Sequence, residues 1–518
     1  MAKRRRTPST RPGSTGKRPA ATRAPRSFAW RRLVVRLATV AALAALVVTV
    51  WWARRPHSSR PNLILIVVDT LRADFLGSYG FQGDLSPNLD AVAAESIVFE
   101  ACSAQAPWTK PSVATLFTGL HPYTHQVLTH DGRYGDGSGS AATDAQRTDA
   151  LPAQARTLAE ALHGAGYETA AFLANPWISR TLGFAQGFDV FDEHLTGNAV
   201  PAAPILTAAS RWLDSRSDPR PFFLYLHLME PHAPYDDPEA DFAAVRDSPS
   251  LGPDRRLEPE ELRAVPPHLR TMPWVQRPDA AWLRTWRGRY AAGVRVLDRE
   301  LGPFLSQVRE SGLLDRSVLV FTSDHGEELC ENSGWEHGDS LYEHQLHVPL
   351  FIRRARAMGG GVRVSDQVGL IDLMPTLLQI ATVPPPPGLQ GRDLSDLWRG
   401  GSPASEPRPT IATGVKWQPN LCSLRSGTHK LIADLATGEA RLYDLESDPT
   451  EQVNIAGSRP ELAAELMAEL VARLGEVAAA PSLRPDSVAV SGELRQQLEA
   501  LGYLGQPAPS PSETKPGG

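Results

Sequence analysis

Asn62-Leu63-Ile64-Leu65-Ile66-Val67-Val68-Asp69 is a continuous apolar run that ends on a carboxylate. Leucine or β-branched side chains fill every position from 63 to 68, without the polar alternation of a strand that has one wet face. Such a run predicts a central parallel strand buried on both faces. Similar runs recur at 169–173, 222–228, 318–322 and 348–352, and helix-like stretches at 157–165 and 290–308 fall between them. Strands alternating with helices predict an α/β fold with a mostly parallel central sheet flanked by helices. Ligands in such folds gather beyond the carboxyl ends of the strands, which makes Asp69 a candidate site residue. A strand-end aspartate is also a common cap for the helix that follows, so Asp69 alone decides little.

Outside this core the chain changes character. Residues 1–32 carry eleven Lys or Arg and no acid, so a formal charge of −5 for the whole chain leaves the remainder clearly acidic. The acidic body excludes a general nucleic-acid partner. The segment 1–32 reads as a disordered basic tail. Residues 33–52 are apolar except for Arg36 and close on Trp51-Trp52, long enough to span hydrocarbon. The positive-inside bias predicts a single-pass membrane anchor with a cytoplasmic amino terminus and an extracytoplasmic (periplasmic or extracellular) catalytic domain. A cleaved signal peptide is the competing reading, but Val50-Trp51-Trp52-Ala53-Arg54 makes a poor cleavage site. The expected domains are 61–383, catalytic, and 384–480, a subdomain with a small antiparallel sheet near 411–413, 430–433 and 441–445 and a helix over 460–477. Residues 481–518 form a tail. Segment 131–150 reads as a loop and 236–280 as a lid-like insertion. Cys102, Cys330 and Cys422 form no disulfide framework, and at least one buried thiol is expected.

Four strand-end clusters carry chemistry. The first is Val68-Asp69-Thr70-Leu71-Arg72-Ala73-Asp74. The second, Ala106-Pro107-Trp108-Thr109-Lys110-Pro111-Ser112, leads into a predicted helix. The third is Glu230-Pro231-His232-Ala233-Pro234-Tyr235. The fourth is Ser323-Asp324-His325-Gly326-Glu327, followed by Glu336-His337-Gly338 and Leu341-Tyr342-Glu343. Each has a plain reading: a lone histidine beside proline packs at a surface, Asp-His-Gly is a turn, and Lys110-Pro111-Ser112 is a helix start. Their joint occurrence in this order is the informative fact.

That order resembles the sulfatase family, within the alkaline phosphatase superfamily, over about residues 61 to 457. Asp372-Leu373-Met374-Pro375-Thr376, Leu389-Gln390-Gly391-Arg392 and Leu442-Tyr443-Asp444-Leu445 are similar to its later signatures. The resemblance implies an alkaline-phosphatase- or sulfatase-like sheet and a metal-dependent ester hydrolase or transferase. It implies that Asp69, Asp324 and His325 bind a divalent cation together with the oxygen of a nucleophile at Thr109. His232 and His337 would bind the transferring group or protonate the leaving oxygen, or complete a second metal site; one metal is the preferred reading. Calcium, magnesium, manganese and zinc all suit such ligands. Lys110, next to Thr109, offers a charge to an anionic substrate, against the plainer reading of a solvated lysine.

The chain departs from the family where the chemistry is decided. Sulfatases proper place Cys or Ser at the nucleophile, oxidised to formylglycine, with an arginine four residues on; Thr109 and Val113 stand there. A secondary alcohol cannot be oxidised to an aldehyde, so no formylglycine is expected. Thr109 favours phosphodiester-type chemistry, with sulfate-ester hydrolysis without formylglycine as the alternative. A non-catalytic protein binding anionic glycans or lipids is the third. The expected partners are an anionic ester, an envelope lipid or glycan among the candidates, and the membrane.

Overall fold

β1 forms where the sequence predicts it, and it is the strand around which the sheet is built. The computed structural model describes residues 36–40, 60–128, 147–194, 201–332, 334–355, 361–398, 408–416, 418–490 and 492–500. Among them the strands are, in chain order, β1 (Asn62–Val68), β2 (Ile97–Ser103), β3 (Arg147–Ala150), β4 (Glu168–Leu173), β5 (Val190–Glu193), β6 (Phe222–Leu228), β7 (Ser317–Ser323), β8 (Glu328–Leu329), β9 (Trp335–Glu336), β10 (His347–Arg353), β11 (Val362–Gly369), β12 (Thr410–Ala412), β13 (Leu421–Ser426), β14 (His429–Asp434), β15 (Ala440–Asp444) and β16 (Asp486–Ala489). Eight of them make one sheet in the order β11-β2-β10-β7-β1-β6-β4-β5. β7, β1, β6, β4 and β5 run parallel, while β10 is antiparallel to both neighbours. The α/β class with a mostly parallel sheet therefore holds.

Burial explains the apolar runs. Every residue of β6 and β7 and all of β1 after Asn62 is buried, because helices cover both faces. Helix Leu283–Glu310 is the longest of these covers, and helix Thr109–Thr118 is buried along its whole length. The latter ends at Gly119, whose φ of 63° is one that a side-chain-bearing residue adopts only at a cost. A four-stranded antiparallel sheet, β12-β13-β14-β15, packs with helix Pro460–Ala479 into a second small core around Leu424, Leu431, Leu442 and Leu470. β13 is the strand of this sheet that the sequence reading does not contain. After that helix the chain returns: β16 pairs with β3, and helix Gly492–Ala500 follows. All three cysteines are buried and free.

One expectation is overturned. Among the described residues no helix is long and apolar enough to cross a membrane, which contradicts the single-pass placement read from 33–52. Of that run only 36–40 is described; it is helical and exposed. Five residues rise about 7.5 Å, against roughly 30 Å of hydrocarbon. The rest of the run, the tail 1–32 and most of the loop 131–150 lie outside the described residues. Residues 1–59 also form a unit separate from Arg60–Gly518.

Candidate active site

The register of three parallel strands assembles the centre. Val68 pairs with Ser323 on one side and Leu228 on the other, so the next residues, Asp69 and Asp324, leave adjacent strand ends together. The ladder continues one step beyond them through Asp69 N–H to the Leu228 carbonyl (2.8 Å). Thr70 then turns with φ 58°, and its N–H donates to Asp324 Oδ1 at 3.3 Å. His325 Nδ1 lies 2.9 Å from the Gly326 carbonyl, which makes Nδ1 the donor and leaves the lone pair on Nε2. That nitrogen stands 3.5 Å from Asp69 Oδ1, 3.5 Å from Asp324 Oδ2 and 3.3 Å from Thr109 Oγ1.

Thr109 is the first residue of its helix, where unsatisfied N–H groups place partial positive charge. Ser112, one turn on, donates to the Asp324 carbonyl at 2.6 Å and ties this helix start to the β7 end. Asn175, just past β4, donates to Asp69 Oδ2 at 2.5 Å and reaches Thr109 Oγ1 at 3.5 Å. His227 of β6 brings Nε2 within 3.6 Å of Asp324 Oδ2. Neither Asn175 nor His227 is among the residues picked from sequence. Asn175 follows a recognised strand at its carboxyl end, and that position was its only available signal. His227 lies inside an apolar strand and gave none.

His232 and His337 come together beside this cluster. Their ring centroids are 5.3 Å apart, and His337 is 4.5 Å from His325. His232 Nδ1 is 2.9 Å from the Ala233 carbonyl, and His337 Nδ1 is 3.0 Å from Glu327 Oε1. Tyr235 donates to the other Glu327 oxygen at 2.9 Å. Lys110 is buried rather than solvated. Its ammonium donates to Thr148 Oγ1 (2.6 Å) and the Asp149 carbonyl (3.0 Å) and lies 5.6 and 5.0 Å from the rings of Trp108 and Trp177. Burial pulls its pKa down to about 7.

The electrostatics fit a cation. Burial, then the neighbouring Asp324, pushes Asp69 up to about 6, and burial pushes Asp324 up to about 8. Burial also holds His325 well below its usual range, so the ring is neutral. Two buried carboxylates that resist ionising beside a neutral imidazole lone pair are short of positive charge. Asp324 Oδ2 is buried without a hydrogen-bond partner among the described residues. Asp69, Asp324 and His325 offer ligand atoms within 4.8 Å of one another, so the group could hold a divalent metal ion.

Family comparison agrees with this constellation. The sulfatase family model matches residues 61–383, and a model of the N-sulphoglucosamine sulphohydrolase C-terminal region matches 332–480. The chain belongs to the sulfatase family. It is 25% identical over 460 residues to an arylsulfatase of Clostridium perfringens, covering 77% of this chain and 91% of that protein. An N-acetylglucosamine-6-O-sulfatase of Bacteroides thetaiotaomicron is 25% identical over 491 residues, 78% of this chain and 84% of the relative. Among solved structures, the phosphonate monoester hydrolase of Agrobacterium radiobacter superposes with a TM-score of 0.63 at 22% identity, over 81% of this chain and 96% of that one. This sulfatase-family chain is thus an ester-hydrolysing enzyme.

Proposed function

We propose that the chain is a metal-dependent hydrolase of anionic esters in which Thr109 Oγ1 is the nucleophile, with phosphodiester-type substrates favoured. The observation that carries this is the position of Thr109: first residue of a buried helix, its hydroxyl 3.3 Å from His325 Nε2, the nitrogen that lies 3.5 Å from both Asp69 and Asp324. Asp69, Asp324 and His325 would hold the cation with the Thr109 oxygen, and a bound divalent ion lowers the pKa of a hydroxyl and offsets charge on an ester. Asn175 orients the pair by donating to Asp69 and reaching Thr109. In the first step the Thr109 hydroxyl gives its proton to solvent, a bond forms from its Oγ1 to phosphorus and the bond to the leaving oxygen breaks. That oxygen takes a proton from His232 or His337. Both rings are fixed through Nδ1, so the transfer falls to Nε2. Water then attacks the phospho-threonine and gives a proton back to that histidine, the bond from phosphorus to Oγ1 breaks to release the acid, and Oγ1 regains its proton from solvent.

Sulfate-ester hydrolysis is the second reading, and the sulfatases among the relatives support it. Against it stands the side chain itself, because a threonine sulfate lacks the elimination route of a formylglycine hydrate. The test is turnover of bis-aryl phosphates and aryl sulfates by the full chain, stripped with EDTA and reloaded with calcium, magnesium, manganese or zinc. The expected result is metal-restored phosphodiester turnover that falls roughly 10³-fold or more in Thr109→Ala, with phospho-threonine in the acid-quenched peptide 106–133. Turnover of sulfate alone that survives Thr109→Ala would sink the proposal.

A further inference from the structure

We propose that Lys416, carried in by the carboxyl-terminal subdomain, contacts the substrate and binds non-bridging oxygens of the anionic ester; this rests on the anionic-ester reading above. Lys416 lies in the loop between β12 and β13, far in sequence from every other residue of the centre. The loop is fastened at both sides of the site. Its Gly414 carbonyl accepts from Trp108 Nε1 at 2.7 Å, one residue before Thr109, and Lys416 N–H donates to the Gly338 carbonyl at 2.8 Å, one residue after His337. The lysine stem lies on Gly338 so closely that a Cβ there would stand 2.4 Å from Cε. The ammonium donates to the His337 carbonyl at 3.1 Å and is 6.0 Å from the Trp108 ring. Two elements that flank Thr109 and His337 therefore meet at this cation.

Charge gives the cation work beyond tethering. The acids whose fields it feels are Asp339, Glu336, Glu327 and Asp69, and His325 feels the ammonium in turn. An anionic ester adds negative charge to this carboxylate-rich centre, and Lys110, the buried lysine next to Thr109, is engaged with Thr148 and Asp149. Val113 supplies no charge. Exposure adds a direction of approach. Asp69, Thr109, Asp324 and His325 are 0% exposed, whereas His337, His232 and Lys416 retain 5%, 7% and 9%. The side on which an ester can arrive is the side that carries Lys416.

The experiment compares the full-length wild type with Lys416→Gln and Lys416→Arg, using a bis-aryl phosphate, an aryl sulfate, and orthophosphate and sulfate as inhibitors. Loss of one charged hydrogen bond predicts that Lys416→Gln raises KM and both inhibition constants about ten- to hundred-fold, with a smaller change in kcat. Lys416→Arg should recover most of the affinity. A residue that only tethers the subdomain would lower the melting temperature and leave these constants within two-fold, which overturns the proposal. Should Lys416→Gln not fold, wild-type crystals soaked in tungstate decide. Lys416 Nζ on the bound oxyanion supports it, and an oxyanion bound without that contact overturns it. A wild type that is active through Thr109 but indifferent to Lys416→Gln sinks only this inference. A wild type that hydrolyses no anionic ester with any of the metals sinks the reading beneath it as well.

Discussion

His125 is held as one tautomer by two neighbours. Val127 N–H donates to Nδ1 at 3.1 Å, so the ring proton sits on Nε2, 3.1 Å from Thr115 Oγ1. Protonating Nδ1 would break the first bond inside a fully buried site, and burial accordingly drives the pKa down to about 3 from an ordinary 6.5. The folded pKa is depressed, so between these values the unfolded chain binds the proton that the folded chain refuses. Stability is therefore full above pH 6.5 and is lost as pH falls towards 3. The loss between pH 7 and pH 4 should be on the order of 3 kcal/mol from this residue. Urea midpoints across that range should fall steeply in the wild type and less steeply in His125→Gln. Parallel curves for the two proteins would refute the assignment. At this scale the sequence was readable where a residue ends a strand, as Asp69 and Asp324 do. It was opaque for Asn175 and His227, whose roles come from which strands are neighbours: β6 lies beside β1, and β4 beside β6, only in the folded order β1-β6-β4.

Helix Leu158–Gly164 lies within the stretch 157–165 read from sequence, with Thr157 as its cap. Thr157 Oγ1 accepts from Glu160 N–H at 3.0 Å, and Glu160 Oε2 accepts from Thr157 N–H at 2.9 Å, a reciprocal cap that closes two of the orphan donors of the first turn. The Thr157 hydroxyl also donates to the Gln186 carbonyl at 3.0 Å. Thr157→Ala removes both roles of a buried oxygen, and a loss of about 1–2 kcal/mol is expected. Thr157→Ser should recover most of it, and equal melting temperatures for the Ala and Ser variants would contradict the capping argument. The long apolar strands β1, β6 and β7 were equally plain, because burial on both faces leaves no other pattern. β2 and β11 were not, since Glu100, Arg363 and Asp366 interrupt their apolar character near the sheet edge. β13 was hidden for a similar reason: Leu421-Cys422-Ser423-Leu424-Arg425-Ser426 mixes polar and apolar residues where it joins two different surfaces.

Those two surfaces are joined by charge, and the joint connects the subdomain to the chemistry. Glu343, in the segment that follows His337, accepts from Arg425 Nη1 at 2.5 Å and from Lys430 Nζ at 2.8 Å, residues of β13 and β14. Lys430 lies 3.2 Å from Glu451, whose other oxygen accepts from Glu343 N–H at 2.5 Å. Lys430 is almost wholly buried against these carboxylates. Removing one partner of such a cluster costs more than forming it gains, because the remaining cation stays desolvated. Glu343→Ala should therefore destabilise the protein by about 3–5 kcal/mol. Limited proteolysis should cut first within 410–445, before the main sheet is attacked. The same loop system presents Lys416 to the centre, so the variant's KM for an anionic ester should rise under conditions where it is still folded. Glu343→Gln, which keeps the shape and loses the charge, should fall between the two. A Glu343→Ala protein with wild-type urea midpoint and wild-type cleavage order would mean that the charge cluster does not hold the subdomain in place. In that case apolar packing alone would have to fix the loop that carries Lys416.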